Sequence, residues 1–339
     1  MHMADALLSP TVGGVMIAVS AGAIAYSIAK TNKDESLDEK KVPMMGVMGA
    51  FVFAAQMINF TIPATGSSGH IGGGILLASL LGPGPAFLTI TAVLIIQALF
   101  FADGGILALG CNIFNMGFWT CFVAYPLIFK LITHKGLNKK SITLASILAV
   151  VIGLQLGAFA VVLETLASGI TELPFSAFVA LMQPIHLAIG LVEGIVTAAV
   201  LCFIYQVRPE ILQSSYTGKR IGNVPMKKVL TGLLIVTLIV GGGLSIFASS
   251  YPDGLEWSMQ GVAGTTELEA TDSTHNAAAN IQESTAFMPD YNFKSTAEDG
   301  SAAGTSAAGI VGGALALVLA GAVGLAISAS KKKRRHESV

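Results

Sequence analysis

Nine apolar runs constrain the fold of this chain more than any other feature of its sequence. They lie at about 11–30, 42–62, 70–82, 85–102, 112–133, 142–167, 176–207, 229–249 and 308–330. A helix needs about 20 apolar residues to cross a bilayer, and every run except the third comes close to that length or exceeds it. Only 12% of the residues are charged, about half of the usual share of roughly 25%. The sequence therefore predicts an all-α polytopic transmembrane helical bundle, and it argues against a water-soluble enzyme, a disordered chain or a nucleic-acid-binding protein.

The third run, at 70–82, is too short to cross a membrane unaided. As a helix it would cover only about 20 Å, at about 1.5 Å per residue. We expect either a half-helix or a stretch that neighbouring helices shield from lipid.

The basic residues predict how the spans are oriented. Of the 19 Lys and Arg residues, 18 fall in the four segments 30–41, 130–140, 208–228 and 331–335. Nine spans with the N-terminus outside place all four segments in the cytoplasm, as the positive-inside rule requires, and leave only Lys294 outside. If the third run did not cross, every later segment would change sides. We therefore predict nine spans, an external N-terminus, a cytoplasmic C-terminus and a multi-pass protein of a prokaryotic plasma membrane.

The same pattern divides the chain. We predict a seven-span body at 1–210, a cytoplasmic linker at 211–227, a two-span accessory domain at 228–330 and a basic cytoplasmic tail at 331–339. The accessory domain contains a long external loop, at about 250–307, which is polar and acidic. This loop is either partly disordered, because it offers few residues for a core, or an acidic surface that gathers cations.

Two histidines are predicted to lie on the external side together with the start of the chain. Residues 1–5 contain no Lys or Arg, unlike a signal peptide, so we expect Met1 to stay in the mature chain with a free amine. The Met1 amine, the His2 backbone nitrogen and the His2 imidazole can close fused rings around one metal ion. His70, in the glycine-rich loop 65–74, can supply a fourth nitrogen. Four nitrogens in a plane suit Ni(II) or Cu(II) better than Zn(II), Mg(II) or Ca(II). The alternative is that His2 has no role and that His70 only caps the next helix.

Other polar residues near this loop or at membrane depth could support a metal site. They are Gln56, Asn59, Asp103, His186 and Glu193. Ionisable groups inside a membrane are functional candidates, although His186 and Glu193 could equally make a packing contact from one helix face. Gln56 and Asn59 either support a metal ligand or form hydrogen bonds between helices.

The first span carries a ridge of small residues. The pairs at four-residue spacing are Ala18/Gly22, Ala21/Ala25 and Ala25/Ala29. Such a ridge allows two helices to approach closely, either within this bundle or against a separate membrane partner.

Motifs for catalysis are missing from the sequence. It contains no Walker A, HExxH or GxSxG motif. The three cysteines, Cys111, Cys121 and Cys202, have no CxxC spacing, so we expect neither a disulfide framework nor a thiolate metal site. We therefore predict no catalytic residue, no bound cofactor and no enzyme activity in this chain.

Four segments of the predicted body are specific in combination. They are 1–10 (MHMADALLSP), 69–74 (GHIGGG), 101–105 (FADGG) and 110–117 (GCNIFNMG). Together they resemble the nickel/cobalt substrate-capture (S) components of energy-coupling-factor (ECF) transporters, the CbiM/NikM family, over about 1–210. Residues 226–330, with PDGLEW after a span, resemble the small two-span accessory subunit of those systems, fused to the C-terminus.

The resemblance implies a function and a set of ligands. Members of this family bind Ni(II) or Co(II) through nitrogens that correspond here to the Met1 amine, the His2 backbone and imidazole, and His70. They work with a transmembrane T component and two cytoplasmic ATPases, within membrane lipid and without nucleic acid. This chain departs from the pattern that we expect at 3–6, which leaves the metal preference open between nickel and cobalt. Planar chelation through a deprotonated amide favours nickel. A cobalt importer is the alternative within the family, and an ion channel or a secondary permease is the alternative outside it.

Overall fold

The structure, a computed structural model, describes residues 1–33, 40–222, 224–270, 272–294 and 302–337. The helices are α1 (Pro10–Lys33), α2 (Lys41–Gln56), α3 (Gly74–Leu81), α4 (Pro83–Phe100), α5 (Leu109–Thr133), α6 (Lys139–Ser168), α7 (Phe175–Val207), α8 (Pro209–Thr217), α9 (Met226–Gly242), α10 (Gly254–Ala263), α11 (Ser273–Thr285) and α12 (Ala302–Glu337). A short antiparallel hairpin pairs β1 (Phe60–Ile62) with β2 (Ser67–Gly69). The predicted all-α helical bundle is confirmed.

Seven helices of the described chain are long and apolar enough to cross a membrane, namely α1, α4, α5, α6, α7, α9 with the short turn that follows it, and α12. Two further apolar helices, α2 with 16 residues and α3 with eight, are shorter. The nine apolar runs of the sequence therefore correspond to nine helices. The number of crossings, and which end faces the cytoplasm, stay predictions.

The short third run forms a buried half-helix after a loop that enters the bundle. All eight residues of α3 are buried. The loop reaches α3 through Gly73, whose φ of +79° suits glycine, and Gly74, where a Cβ would lie 2.1 Å from Thr120 Oγ1. At its other end, Ala78 accepts a hydrogen bond from Ser215 Oγ of α8, at 3.3 Å. Because the loop takes up the first part of the path through the bundle, α3 extends over only the remaining part.

The basic segments gather at one end of the bundle. Lys40 Nζ donates to the Gly222 carbonyl at 2.6 Å, and the Tyr216 hydroxyl donates to the Lys130 carbonyl at 3.4 Å. The opposite end, which we call the N-terminal face, carries Met1, the β-hairpin and the segment that follows α9. This separation of charge agrees with the topology predicted from the basic residues.

Residues 250–270 and 272–294, which we call the accessory segment, are ordered and packed on the N-terminal face. The side chains of Leu255, Met259 and Met288 are at most 4% exposed, and burial of each contributes about 1.5–3 kcal/mol. Partial disorder is therefore wrong for these residues, because a few apolar side chains suffice when the body supplies the other half of the core. Residues 295–301 of the predicted loop lie outside the described residues.

Helix α1 lies at the edge of the bundle with its ridge of small residues turned outward. Every residue of the ridge is exposed. A Cβ added at Gly22 would meet nothing within 4 Å. The internal-packing interpretation of this ridge is therefore wrong for the described part of the chain.

Candidate metal centre

Hydrogen bonds hold the first residues of the chain inside the bundle. Asn112, at the start of α5, accepts from Met3 N at 2.7 Å and donates to the Met3 carbonyl at 3.1 Å. Gly105 N donates to the same carbonyl at 2.9 Å, and the Asp5 carboxylate accepts from Ala108 N at 2.9 Å. These bonds fix Met3 and Asp5 against the loop 101–108, and they bring the two residues before Met3 to the N-terminal face.

His2 and His70 meet at the N-terminal face. Their imidazole rings are stacked, with centroids 5.2 Å apart and an angle of 21° between the planes. His70 Nδ1 lies 3.1 Å from the Ile71 carbonyl. Because a carbonyl can only accept, Nδ1 carries the proton and Nε2 keeps a lone pair for a ligand.

The His2 ring has one partnered nitrogen and one free nitrogen. Its Nδ1 lies 3.2 Å from Asp103 Oδ1, whereas its buried Nε2 has no partner among the described residues. Fused chelation by Met1 and His2 closes its second ring through Nδ1, so a metal would have to replace the contact with Asp103. Asp103 therefore holds the ring of a predicted ligand, and it also accepts from the Tyr291 hydroxyl of the accessory segment.

Both imidazoles are neutral near pH 7. Burial lowers the pKa of His2 and outweighs the nearby Asp103 carboxylate, which raises it. Burial and the positive Met1 amine lower the pKa of His70 to about 4. A metal ion would therefore meet His70 with a free lone pair on Nε2. At His2 the ring proton would have to leave Nδ1, which faces Asp103, before that nitrogen could bind the metal.

The Met1 amine contacts the carboxylate of Asp253, across 252 positions of sequence. Burial raises the pKa of Asp253, but the adjacent ammonium lowers it more, and the net pKa lies well below the ordinary value. The accessory segment thus places a negative charge directly against the start of the chain.

A small cavity of about 30 Å³ lies beneath this contact, lined by Met1, His70, His186, Glu193 and Asp253 among others. His186 donates from Nδ1 to the Met182 carbonyl at 2.8 Å, as a carbonyl accepts only, and its Nε2 has no partner in the described chain. Glu193 accepts from Gly73 N at 2.9 Å. The Glu193 carboxylate therefore secures the turn that carries His70.

The two remaining polar candidates also lie around the His70 loop. Gln56 donates to the Gly72 carbonyl at 3.0 Å and accepts from Gln97 at 2.8 Å. Helix α2 ends at Gln56, so Asn59 lies beyond the helix although the apolar run 42–62 contains both residues. The Asn59 side chain lines an open cavity of about 520 Å³ together with both imidazoles.

The described residues contain no cluster of three or more His, Cys, Asp or Glu side chains suited to a metal. The site predicted at this face combines main-chain nitrogens with two imidazoles, and so is of a different kind from such a cluster. Nitrogen donors of this kind suit a late first-row divalent ion.

Sequence reasoning did not assign two residues of this region. Asn112 and Asp253 act through the fold, one as a clamp on Met3 and the other as partner of Met1. Nothing in the spacing of the sequence indicates either contact, because each joins segments more than 100 residues apart.

The fold and this face define a multi-pass membrane protein in which two imidazoles and the Met1 amine converge beneath an accessory segment. The chain belongs to the CbiM family, described as the cobalt uptake substrate-specific transmembrane region, whose model matches residues 2–211. A second family model, the PDGLE domain, matches residues 227–329. Its relatives include metal transport proteins, and seven of its described helices are long and apolar enough to cross a membrane. It is therefore a multi-pass protein of the plasma membrane.

Two curated relatives carry names that refer to fused nickel transport proteins. "Putative fused nickel transport protein NikMN" of Archaeoglobus fulgidus is 34% identical over 65% of this chain and 70% of its own length. "Probable fused nickel transport protein LarMN" of Lactiplantibacillus plantarum is 31% identical over 77% of this chain and 79% of its own. A crystal structure titled as a truncated transition metal transporter matches with a TM-score of 0.54 and 34% identity, and covers 61% of this chain and 99% of that one.

Proposed function

We propose that this protein is the substrate-binding (S) component of an ATP-driven ECF-type importer and captures Ni(II) at the extracytoplasmic side. The proposed ligands are the Met1 amine, the backbone and imidazole nitrogens of His2, and the His70 imidazole. The observation that carries the proposal is the stacking of His2 and His70, 5.2 Å apart, beside a buried Met1. The metal is the cargo of the protein and not a resident cofactor.

The domain division follows the same proposal. The seven-span body at 1–210 binds the metal, and the accessory domain at 228–330 is joined to it by the linker 211–227. ATP hydrolysis belongs to two separate ATPases, which act through a transmembrane T component. The outward ridge of small residues on α1 supports a membrane partner, because no described residue covers it.

Cobalt remains the second candidate cargo, since the family description refers to cobalt uptake. Nickel is favoured because a deprotonated amide and three further nitrogens suit a square-planar ion. A channel or permease is less favoured. The cavity beneath Met1 measures only about 30 Å³, which is about the volume of one water molecule.

The test is nickel binding by the full-length protein with and without one added residue before Met1. An extra residue moves the amine out of the fused rings but leaves the rest of the fold in place. We expect the extended protein to lose high-affinity nickel binding, measured by titration calorimetry, while it still unfolds cooperatively on heating. Equal nickel affinity in the two proteins would contradict chelation by the Met1 amine. Tighter binding of Co(II) than of Ni(II) would identify Co(II) as the transported metal.

A further inference from the structure

One carboxylate of the accessory segment makes two separate sets of contacts. Asp253 Oδ1 accepts from Leu255 N at 2.8 Å and from Glu256 N at 3.0 Å, and so caps α10. The other oxygen, Oδ2, faces the Met1 amine. The cap fixes the orientation of the carboxylate, because the first backbone N–H groups of a helix are rigid donors. The oxygen that faces Met1 is therefore held in place by α10.

The start of α10 is in turn fixed to the loop that carries His70. Ser68 N donates to the Pro252 carbonyl at 2.8 Å, and Ser68 Oγ donates to the Tyr251 carbonyl at 2.7 Å. Trp257 Nε1 donates to the Thr65 carbonyl at 2.9 Å. The same loop thus supports both His70 and the residue that contacts Met1.

The start of α10 packs closely against α7. A Cβ added at Gly254 would lie 2.8 Å from Ile189 Cδ1 and 3.0 Å from His186 Cε1. Met1 is only 6% exposed, and a buried ammonium needs a partner of opposite charge, since its desolvation alone costs several kcal/mol. Asp253 is the carboxylate that meets this need.

We propose that Asp253 is a positioning residue for metal capture: it holds the Met1 amine beside His2 and His70 before the metal arrives. The inference rests on the proposed function and assigns the accessory domain a direct part in assembling the site. A flexible chain end would sample many positions, and only a fraction of them would allow chelation. Apparent affinity falls in proportion to that competent fraction.

Asp253 acts through the amine and does not bind the metal. An amine that coordinates a metal through its lone pair retains two N–H groups, and Asp253 can accept a hydrogen bond from one of them. The same carboxylate therefore suits the metal-free and the metal-bound amine. Its negative charge also lies close to the incoming cation.

The experiment compares nickel binding by full-length wild type, D253N and D253S in nanodiscs. Asn and Ser cap helices about as well as Asp, so α10 stays capped in both variants. In D253N the oxygen that faces the Met1 amine is replaced by an N–H₂ group, which cannot accept a hydrogen bond from it. In D253S the single oxygen is used by the cap, so none remains to face the amine. We expect nickel association to slow about tenfold in both, the dissociation rate to change by less than the association rate, and the nickel absorption spectrum to stay unchanged.

The matched control is E256Q. Glu256 Oε2 accepts from Asp253 N at 2.9 Å, and a Gln carbonyl can accept the same bond. This variant alters charge in the same turn without touching the amine, and we expect a wild-type association rate. Thermal unfolding of all variants verifies that the accessory segment still packs on the body.

Three results would overturn the inference. Wild-type association rates in D253N and D253S would show that the amine needs no partner. A changed nickel absorption spectrum in both would show that Asp253 is a metal ligand. An equal decrease of the association rate in E256Q would show that the effect comes from the negative charge of this region and not from the contact with the amine. In all three cases nickel binding by wild type leaves the proposed function intact, whereas wild type without stoichiometric nickel binding would contradict that function first.

Discussion

At the scale of single residues, the competition between burial and nearby charge decides the protonation of the two imidazoles. Asp103 raises the pKa of His2, yet burial lowers it more, so the contact between them is a hydrogen bond from a neutral ring and not an ion pair. His70 is kept neutral by burial and by the positive amine of Met1. Two neutral imidazoles can stack without repulsion, and neither carries a positive charge that would repel a metal ion.

His70→Ala should remove a ligand, whereas His186→Ala should not. We expect H70A to weaken nickel binding by more than the about 10–100-fold that supporting residues typically contribute. His186 lines the cavity beneath Met1, but its Nδ1 is engaged with Met182, so H186A should stay within this range of about 10–100-fold. Titration calorimetry on both variants measures the difference. Loss of binding in H186A together with retention in H70A would place the site deeper in the bundle.

At the scale of elements, α11 is fastened to the N-terminal segment by one histidine. His275 Nε2 lies 3.0 Å from the Asp5 carbonyl and 2.9 Å from the Leu8 carbonyl, and its Nδ1 contacts the Asp272 carboxylate at 2.5 Å. All these partners are acceptors, so the ring serves them best with both nitrogens protonated. Burial lowers the pKa of His275, but the hydrogen bonds outweigh burial and raise the net pKa.

The packing of α11 should therefore weaken as the pH rises. A histidine whose pKa is raised by folding stabilises the fold in full below its ordinary pKa of about 6.5, and this contribution disappears as the pH rises through the raised value. Amide exchange of α11, corrected for intrinsic rates, should show protection that falls as the pH rises above about 6.5.

His275→Gln provides the control for this prediction. Gln can donate one hydrogen bond to the carbonyls but cannot titrate, so α11 should show lower protection that no longer varies with pH. The same pH dependence in wild type and H275Q would assign the effect to another group.

At the scale of the whole molecule, two faces of the bundle differ in what covers them. The accessory segment closes the N-terminal face, where Gln282 donates to the Ala98 and Gly104 carbonyls at 2.9 and 2.8 Å. Helix α1, by contrast, presents its small residues outward. The molecule therefore separates a closed end, which carries the candidate site, from an open side wall suited to another helix.

A bulky residue on the α1 ridge should block a partner without affecting the site. Gly22→Leu fills the space in which a second helix could approach closely, while Met1 and His70 lie elsewhere. We expect G22L to bind nickel with wild-type affinity but to lose copurification with the transmembrane T component and the ATPases, and nickel uptake with it. Leu163→Phe, which enlarges an exposed side chain of α6, is the control and should assemble normally. Normal assembly of G22L would exclude this ridge as the contact.

Apolar runs of the right length and glycine-rich turns are properties of the chain itself, and so the helical bundle could be predicted without a structure. His2 could also be identified as a candidate ligand, because an amine followed by histidine chelates a metal through neighbouring atoms. His70 could be identified from its glycine-rich loop and from the predicted topology, which places it on the same side as His2. The basic segments likewise predicted an arrangement in which one end of the bundle gathers the positive charge.

Contacts between distant segments depend on packing, and only the tertiary structure decided them. The clamp of Asn112 on Met3, the support of Gly73 by Glu193 and the contact of Asp253 with Met1 each join residues at least 109 positions apart. Order in the accessory segment has the same origin, since Leu255 and Met288 find a core only against the body. A local sequence pattern carries no record of which apolar surface a segment will meet, and that surface determines whether the segment packs and what its polar side chains reach.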